Sequence, residues 1–259
     1  MAISKKDLKD LKRAKELLDN PSLVARLTDA LGSPIEKGFE LLPAKWSDIV
    51  NLAAKESLTK ALEITVKTIG DKPKVPSSNK IHKTLVMLTG GAGGFFGLPA
   101  LTVELPVSTM IILRSISDIA RSEGENIKKI ESKMSCLGVF ALGGKSEKDN
   151  ATESGYYAVR LILSRQIPEV IKNITAKSTT EGIAPAIARY ISSIASRFAI
   201  NISEKVAAQA VPILGAAGGA LINMIFIDHF QDMARGHFIV RRLDRKYGSD
   251  VVQREYKKI

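Results

Sequence analysis

Apolar residues recur every three or four positions along most of this chain, and nowhere do they alternate with polar ones long enough to build a strand. That period confines the chain to helices. Leu8, Leu11, Ala14, Leu17 and Leu18 recur at helical spacing with Lys and Asp between them, and Asn20-Pro21 ends this first helix. Short helices follow, broken near Gly32-Ser33-Pro34 and Leu42-Pro43, and a longer one runs from Trp46 to Ile69, stopped by Gly70. Residues 71–79 hold two prolines and two serines and read as an exposed loop, the best hinge in the N-terminal half. Further helices are expected over 127–142, from a capping box at Asn150-Ala-Thr-Glu153 toward Ile174, over 184–208, and from Val211-Pro212 through the basic run 241–246 to Gly248. The expected fold is all-α, a single helical bundle-like domain over residues 1–259. Its helices over 1–79 are the less characteristic part, and 80–248 form the core.

Two glycine-rich segments mark that core. Between residues 85 and 113 Glu104 is the sole charge. The first segment, residues 89–99, contains Gly90, Gly91, Gly93, Gly94, Gly97, Leu98 and Pro99; the second, residues 211–219, contains Gly215, Gly218 and Gly219. Gly93 with Gly97, and Gly215 with Gly219, are GxxxG pairs, a spacing that strips side chains from one helix face and lets backbones approach. The two segments are therefore expected to be apolar helical segments packed against each other near the centre. No Gly-Lys-Ser/Thr ends the first segment and no strand precedes it, so neither a phosphate loop nor a dinucleotide fingerprint is present, and no cofactor is expected. A membrane-spanning helix needs about 20 mostly apolar residues. The run 211–227 is marginal and closes at Asp228-His229, while Pro99, Glu104 and Pro106 suit a broken helix or helical hairpin in the earlier run. A membrane-facing amphiphile accounts for both segments better than a span does, and close packing inside a soluble bundle is the competing account.

Charge points the same way. Thirty-eight Lys and Arg against 27 Asp and Glu leave a net charge of +11, which favours phosphate-bearing partners. Candidate contacts are Lys5, Lys6, Lys9, Lys12 and Arg13 on the first helix, and Arg241, Arg242, Arg245 and Lys246 near the last. Aromatics are only 5% of residues and do not interleave with the basic ones, and no zinc-finger or RNA-recognition signature appears. A nucleic-acid-binding helical protein is therefore an alternative without a motif. The partner expected is an anionic membrane surface or a membrane protein. The single Cys136 lies in an apolar stretch, which fits an inert buried thiol and a reducing compartment. The N-terminus is charged at once, with no secretory signal. The expected location is cytoplasmic, peripheral to the inner face of the cell membrane.

Several charged and polar groups fall among apolar neighbours and need partners. Glu104 and Arg114 share the early stretch; Asp228, His229, Arg235 and His237 share the late one. Glu104 and Asp228 are expected to pair with Arg114 or Arg235. Spacing through Met233 brings His229 and His237 toward one helix face. Glu104, Asp228, His229 and His237 could serve a metal-dependent or other hydrolase, but eight residues is a poor metal-ligand spacing and no HExxH is present. Ser108 or Ser115 with His229 has no nucleophile elbow. The preferred reading is a structural network locking core helices, with no catalytic, cofactor or metal residues and a non-enzymatic role.

The residues that carry a resemblance are Gly-Gly-Phe-Phe-Gly-Leu-Pro99, Glu104-Leu-Pro106 and Arg114-Ser-Ile116, then Val211-Pro-Ile-Leu-Gly-Ala-Ala-Gly-Gly219, Asn223, His229-Phe230, Ala234, His237-Phe238 and Arg242-Leu243. In these blocks the chain resembles the EcsC protein family over roughly residues 85–248. The family is bacterial and takes its name from a gene beside an ABC-transporter operon. The resemblance implies a cytoplasmic or membrane-peripheral setting and brings no reaction and no catalytic residues with it.

Overall fold

Ser4 caps the first helix. Its Oγ accepts from the Asp7 backbone N–H at 3.2 Å and donates to the Asp7 carboxylate at 2.8 Å, closing the first turn from outside. The computed structural model describes residues 3–19, 22–67, 98–143, 155–175, 185–211 and 215–259. Among them are ten α-helices, one 3-10 turn and no strand, as the apolar period predicts. The helices are α1 (Lys5–Asp19), α2 (Leu23–Leu31), α3 (Glu36–Glu40), α4 (Trp46–Lys67), α5 (Leu98–Ser122), α6 (Ile130–Gly138), α7 (Gly155–Thr175), α8 (Pro185–Ala210), α9 (Gly215–Tyr247) and α10 (Ser249–Lys258); the 3-10 turn, Val139–Ala141, follows α6 directly.

The 33-residue α9 is the spine, about 50 Å long. Along its C-terminal half lies α1, antiparallel. Ser4 meets Tyr247 at 3.3 Å, Asp10 meets Arg242 at 2.8 Å, and Gly236 receives Leu18 and Ala14. The approach at Gly236 requires glycine, because a Cβ there would lie 2.6 Å from Leu18 Cγ and 3.0 Å from the Ala14 carbonyl oxygen. Beyond a break in the described residues, α2 continues the strip, with Arg26 on Asp232 at 2.8 Å. Gln231 donates to Ser115 of α5 at 2.9 Å, and Phe230 meets Phe198 of α8 at 5.6 Å between ring centroids. Phe140, Phe198, Phe226 and Phe230 form a connected aromatic centre, in the tilted and edge-on arrangements rings prefer. On the outer side of α8 and α5, α4 packs its alanine-rich face, Ala53, Ala54 and Ala61. Lys133 of α6 donates to the Thr65 carbonyl oxygen at 2.6 Å, satisfying an acceptor in the last turn of α4.

Three expectations change. Pro106 does not break its helix: α5 runs continuously from residue 98 to 122. A proline in a helix removes one hydrogen bond, and here the buried Leu101, Leu105 and Ile112 hold both sides of it in the core. The helix expected from residue 127 begins at Ile130, because Asn126 folds the preceding residues into a turn, its Oδ1 accepting from the Lys128 N–H at 3.1 Å. It then tightens to 3-10 after Gly138. Gly248 ends α9 with φ +87, as read, but a further amphipathic helix, α10, follows it.

The glycine-rich segment at 89–97, the loop at 71–79 and the capping box at 150–153 lie outside the described residues, and with them the packing of the two glycine segments. Within the second segment, α9 starts at Gly215, and Gly218 and Gly219 are buried. No helix among the described residues is long and apolar enough to cross a membrane.

Candidate functional site

Glu104, in the second turn of α5, is buried, and its partner is neither arginine expected for it. Lys205 of α8, fully buried, places Nζ 2.7 Å from Glu104 Oε1. Asn223 of α9 donates to the same oxygen at 3.4 Å, and the ammonium also lies 5.1 Å from the centroid of Phe226. Three helices therefore meet at one buried ion pair, close to where α9 leaves its glycine segment. Arg114 points to the surface, and Arg235 is occupied by Asp232 at 2.8 Å. Helix geometry explains the correction: residue 114 is ten positions from residue 104, about 15 Å further along the same helix and about 80° around it. The pairing residue sits on a helix with no other feature to mark it in sequence.

The two histidines part company. His237 is buried between Ser135 Oγ at 3.2 Å and the Tyr156 hydroxyl at 3.0 Å. Both hydroxyls can donate or accept, so a neutral imidazole is satisfied on both sides. Burial, then the charges of Arg160 and Arg241, holds this imidazole well below its ordinary pKa. Ser135 thus has a histidine at bonding distance, but the group on the far nitrogen is a phenol, not a carboxylate, and all three are buried. His229 has no hydrogen-bond partner on either ring nitrogen among the described residues. It faces Gly143, with Met233 beside it, and burial, with the nearby Arg26, pushes its pKa down to about 4.

Asp228 lines a shallow groove of about 520 Å³ with Arg26, Asp29, Ala30, Leu221 and Ile225. Glu104, Asp228, His229 and His237 do not form one constellation. Asn223, beside Glu104, and His237 are separated by about 21 Å along α9. Among the described residues no three His, Cys, Asp or Glu side chains are grouped to hold a metal ion. Neither Ser108, which bonds the Leu105 carbonyl, nor Ser115, which accepts from Gln231, bonds His229. Cys136 is buried, its thiol pushed up to about 12 by burial.

The basic residues divide into two kinds. Every cation in the run near the end of α9 is committed to a carboxylate of another element. Arg241 donates to Glu125 at 2.8 Å, and Arg245 joins the same carboxylate. Arg242 spans Asp10 at 2.8 Å and Glu123 at 3.2 Å. Lys246 meets Asp7 at 2.7 Å, where Tyr247 also donates at 2.6 Å. Hydrogen bonds from Lys246, Tyr247 and Ser4 hold the Asp7 carboxyl well below the usual range. Burial opposes the charge on Glu125, yet hydrogen bonds from Arg241 and Ser132 still keep its pKa low. By contrast Lys5, Lys6, Lys9, Lys12 and Arg13 are all exposed, and none pairs with a carboxylate among the described residues. At 100° per residue they fall on one arc of α1, opposite the buried Asp7, Leu11 and Ala14.

An all-α protein built on one long central helix, with a buried Lys–Glu pair and a basic first helix, is the class these features define. The chain belongs to the EcsC protein family, which matches it over residues 5–243. The match therefore takes in the N-terminal helices that the motif blocks left out. No curated protein and no solved structure matches the chain.

Proposed function

We propose that this EcsC-family protein docks peripherally on an anionic membrane surface, at the cytoplasmic face, through the outward arc of α1, and that its role is to bind rather than to catalyse. The observation that carries the reading is the contrast within its basic residues. Arg241, Arg242, Arg245 and Lys246 spend their charge inside the fold, while Lys5, Lys6, Lys9, Lys12 and Arg13 present theirs to solvent on one arc. Near an anionic surface each cation contributes about 1 kcal/mol. Such an arc reads charge density and not the shape of a ligand, because lysine ammoniums are flexible point charges.

Co-sedimentation with phosphatidylglycerol vesicles tests it. Binding is expected, falling with salt and weak on phosphatidylcholine alone. Replacing the five α1 cations with glutamine removes it without lowering thermal stability. Equal binding to neutral vesicles, or no binding to either, overturns the reading. A mobility shift with random duplex DNA or single-stranded RNA, in the absence of vesicle binding, establishes the nucleic-acid alternative in its place.

A further inference from the structure

We propose that the outward face of α7 is the element that enters the interfacial layer of such an anionic bilayer. The inference rests on the membrane-docking reading and adds the helix that supplies its apolar contact. Leu161 and Ile162 are adjacent and stand 51% and 50% exposed. Ala158, Leu161, Ile162, Arg165, Pro168 and Lys172 fall on one arc of the helix at 100° per residue. Arg165 and Lys172 are exposed and pair with no carboxylate among the described residues. Glu169 is the single acidic residue of α7, and both its oxygens are held by Arg189, at 2.8 and 2.9 Å. The face therefore offers two aliphatic side chains, two unpaired cations and no unpaired carboxylate. On a helix lying in the headgroup layer, the aliphatic groups reach the acyl boundary while the longer cations extend back to the phosphates.

Continuity with α1 supports the same occupant. Tyr256 of α10 lies between the two helices. Its ring is 4.7 Å from Lys15 Nζ of α1 on one side. On the other it packs against Tyr156 and Tyr157 of α7, at 6.0 and 5.1 Å between centroids. α10 adds Arg254 and Lys257, both exposed and unpaired among the described residues. Leu41, Ile49 and Leu52, at the α3–α4 corner, form the rival apolar patch. Exposed Glu40, Asp48 and Glu56 accompany it, balanced by exposed Lys37, Lys45 and Lys55, so that corner offers an anionic surface no excess of positive charge.

An environment-sensitive fluorophore on Leu161→Cys, and separately on Leu52→Cys, tests the assignment in the full-length protein; Cys136 is buried and does not compete for label. With phosphatidylglycerol vesicles the 161 probe is expected to shift to the blue and brighten, and the 52 probe to stay unchanged. The Leu161→Ser/Ile162→Ser protein should keep salt-sensitive pelleting and lose the fraction that survives high salt. Vesicle binding with a silent 161 probe, or with the shift at 52, overturns this inference and leaves α1 docking standing. No vesicle binding by the unlabelled protein overturns both.

Discussion

A Cβ on Gly143 would lie 2.3 Å from Nε2 of His229. Gly143 also has φ +78, a conformation that costs an L side chain about 1–2 kcal/mol. Gly143→Ala therefore combines backbone strain with a clash against a buried ring. A loss of about 2–4 kcal/mol is expected in chemical denaturation. In a His229→Ala background the same substitution should cost only the backbone part. Equal costs in the two backgrounds would show that the ring moves aside freely.

Removing either partner of the Glu104–Lys205 pair strands a buried charge. Glu104→Ala and Lys205→Met should each destabilise by about 3–5 kcal/mol. The double variant Glu104→Ala/Lys205→Met should cost much less than the two singles together, because no unpaired ion remains. Additive losses in a double-mutant cycle would refute a direct pairing. The single chain variants should also keep their affinity for vesicles if they remain folded, since the pair is remote from α1.

Stability should respond to pH in two opposed ways. His229, with its folded pKa lowered to about 4, contributes stability that is complete above pH 6.5 and is lost as pH falls toward 4. Glu204 of α8 behaves inversely. Burial raises its carboxyl to about 7, against a hydrogen bond from the Val24 backbone N–H. One of its oxygens is buried and without a partner. Its contribution is complete below about pH 4.5 and is lost as pH rises through 7. Glu204→Gln should gain roughly 2 kcal/mol at pH 8 relative to wild type and nothing at pH 4. An identical pH profile for the two proteins would remove Glu204 from the account.

Asp7 ties the first helix down through Lys246 and Tyr247 of α9. In Asp7→Asn the charge that holds Lys246 is gone. Hydrogen exchange should quicken across α1 and leave the α8 amides unchanged. Uniform acceleration over both helices would mean that α1 opens only with the whole protein.

The long helices α4, α8 and α9 are legible because each repeats its apolar period over many turns. Gly32 ends α2 in the left-handed conformation usual at a helix C-terminus, and Gly248 ends α9 with a positive φ that favours glycine. What sequence periodicity lacks is the phase between helices. Lys205 is one charged residue within α8, and nothing local says that it turns toward a carboxylate 101 positions earlier. The apolar pair Leu161 and Ile162 carries no mark in the sequence that separates it from the core, yet the helix turns it outward because Val159, Leu163 and Val170 take the inner face. Likewise the basic run at 241–246 read as a surface patch. Its carboxylate partners come from α1 and from the turn after α5, and no pattern within the run announces them.

The ion pair between Asp7 and Lys246 joins residues 239 positions apart. A ribosome delivers α1 long before the seat for it on α9. Throughout that interval Leu11 and Ala14 have no groove to fill, so the nascent helix carries both a bare apolar edge and a cationic edge. The finished fold covers the first of those edges and leaves the second open.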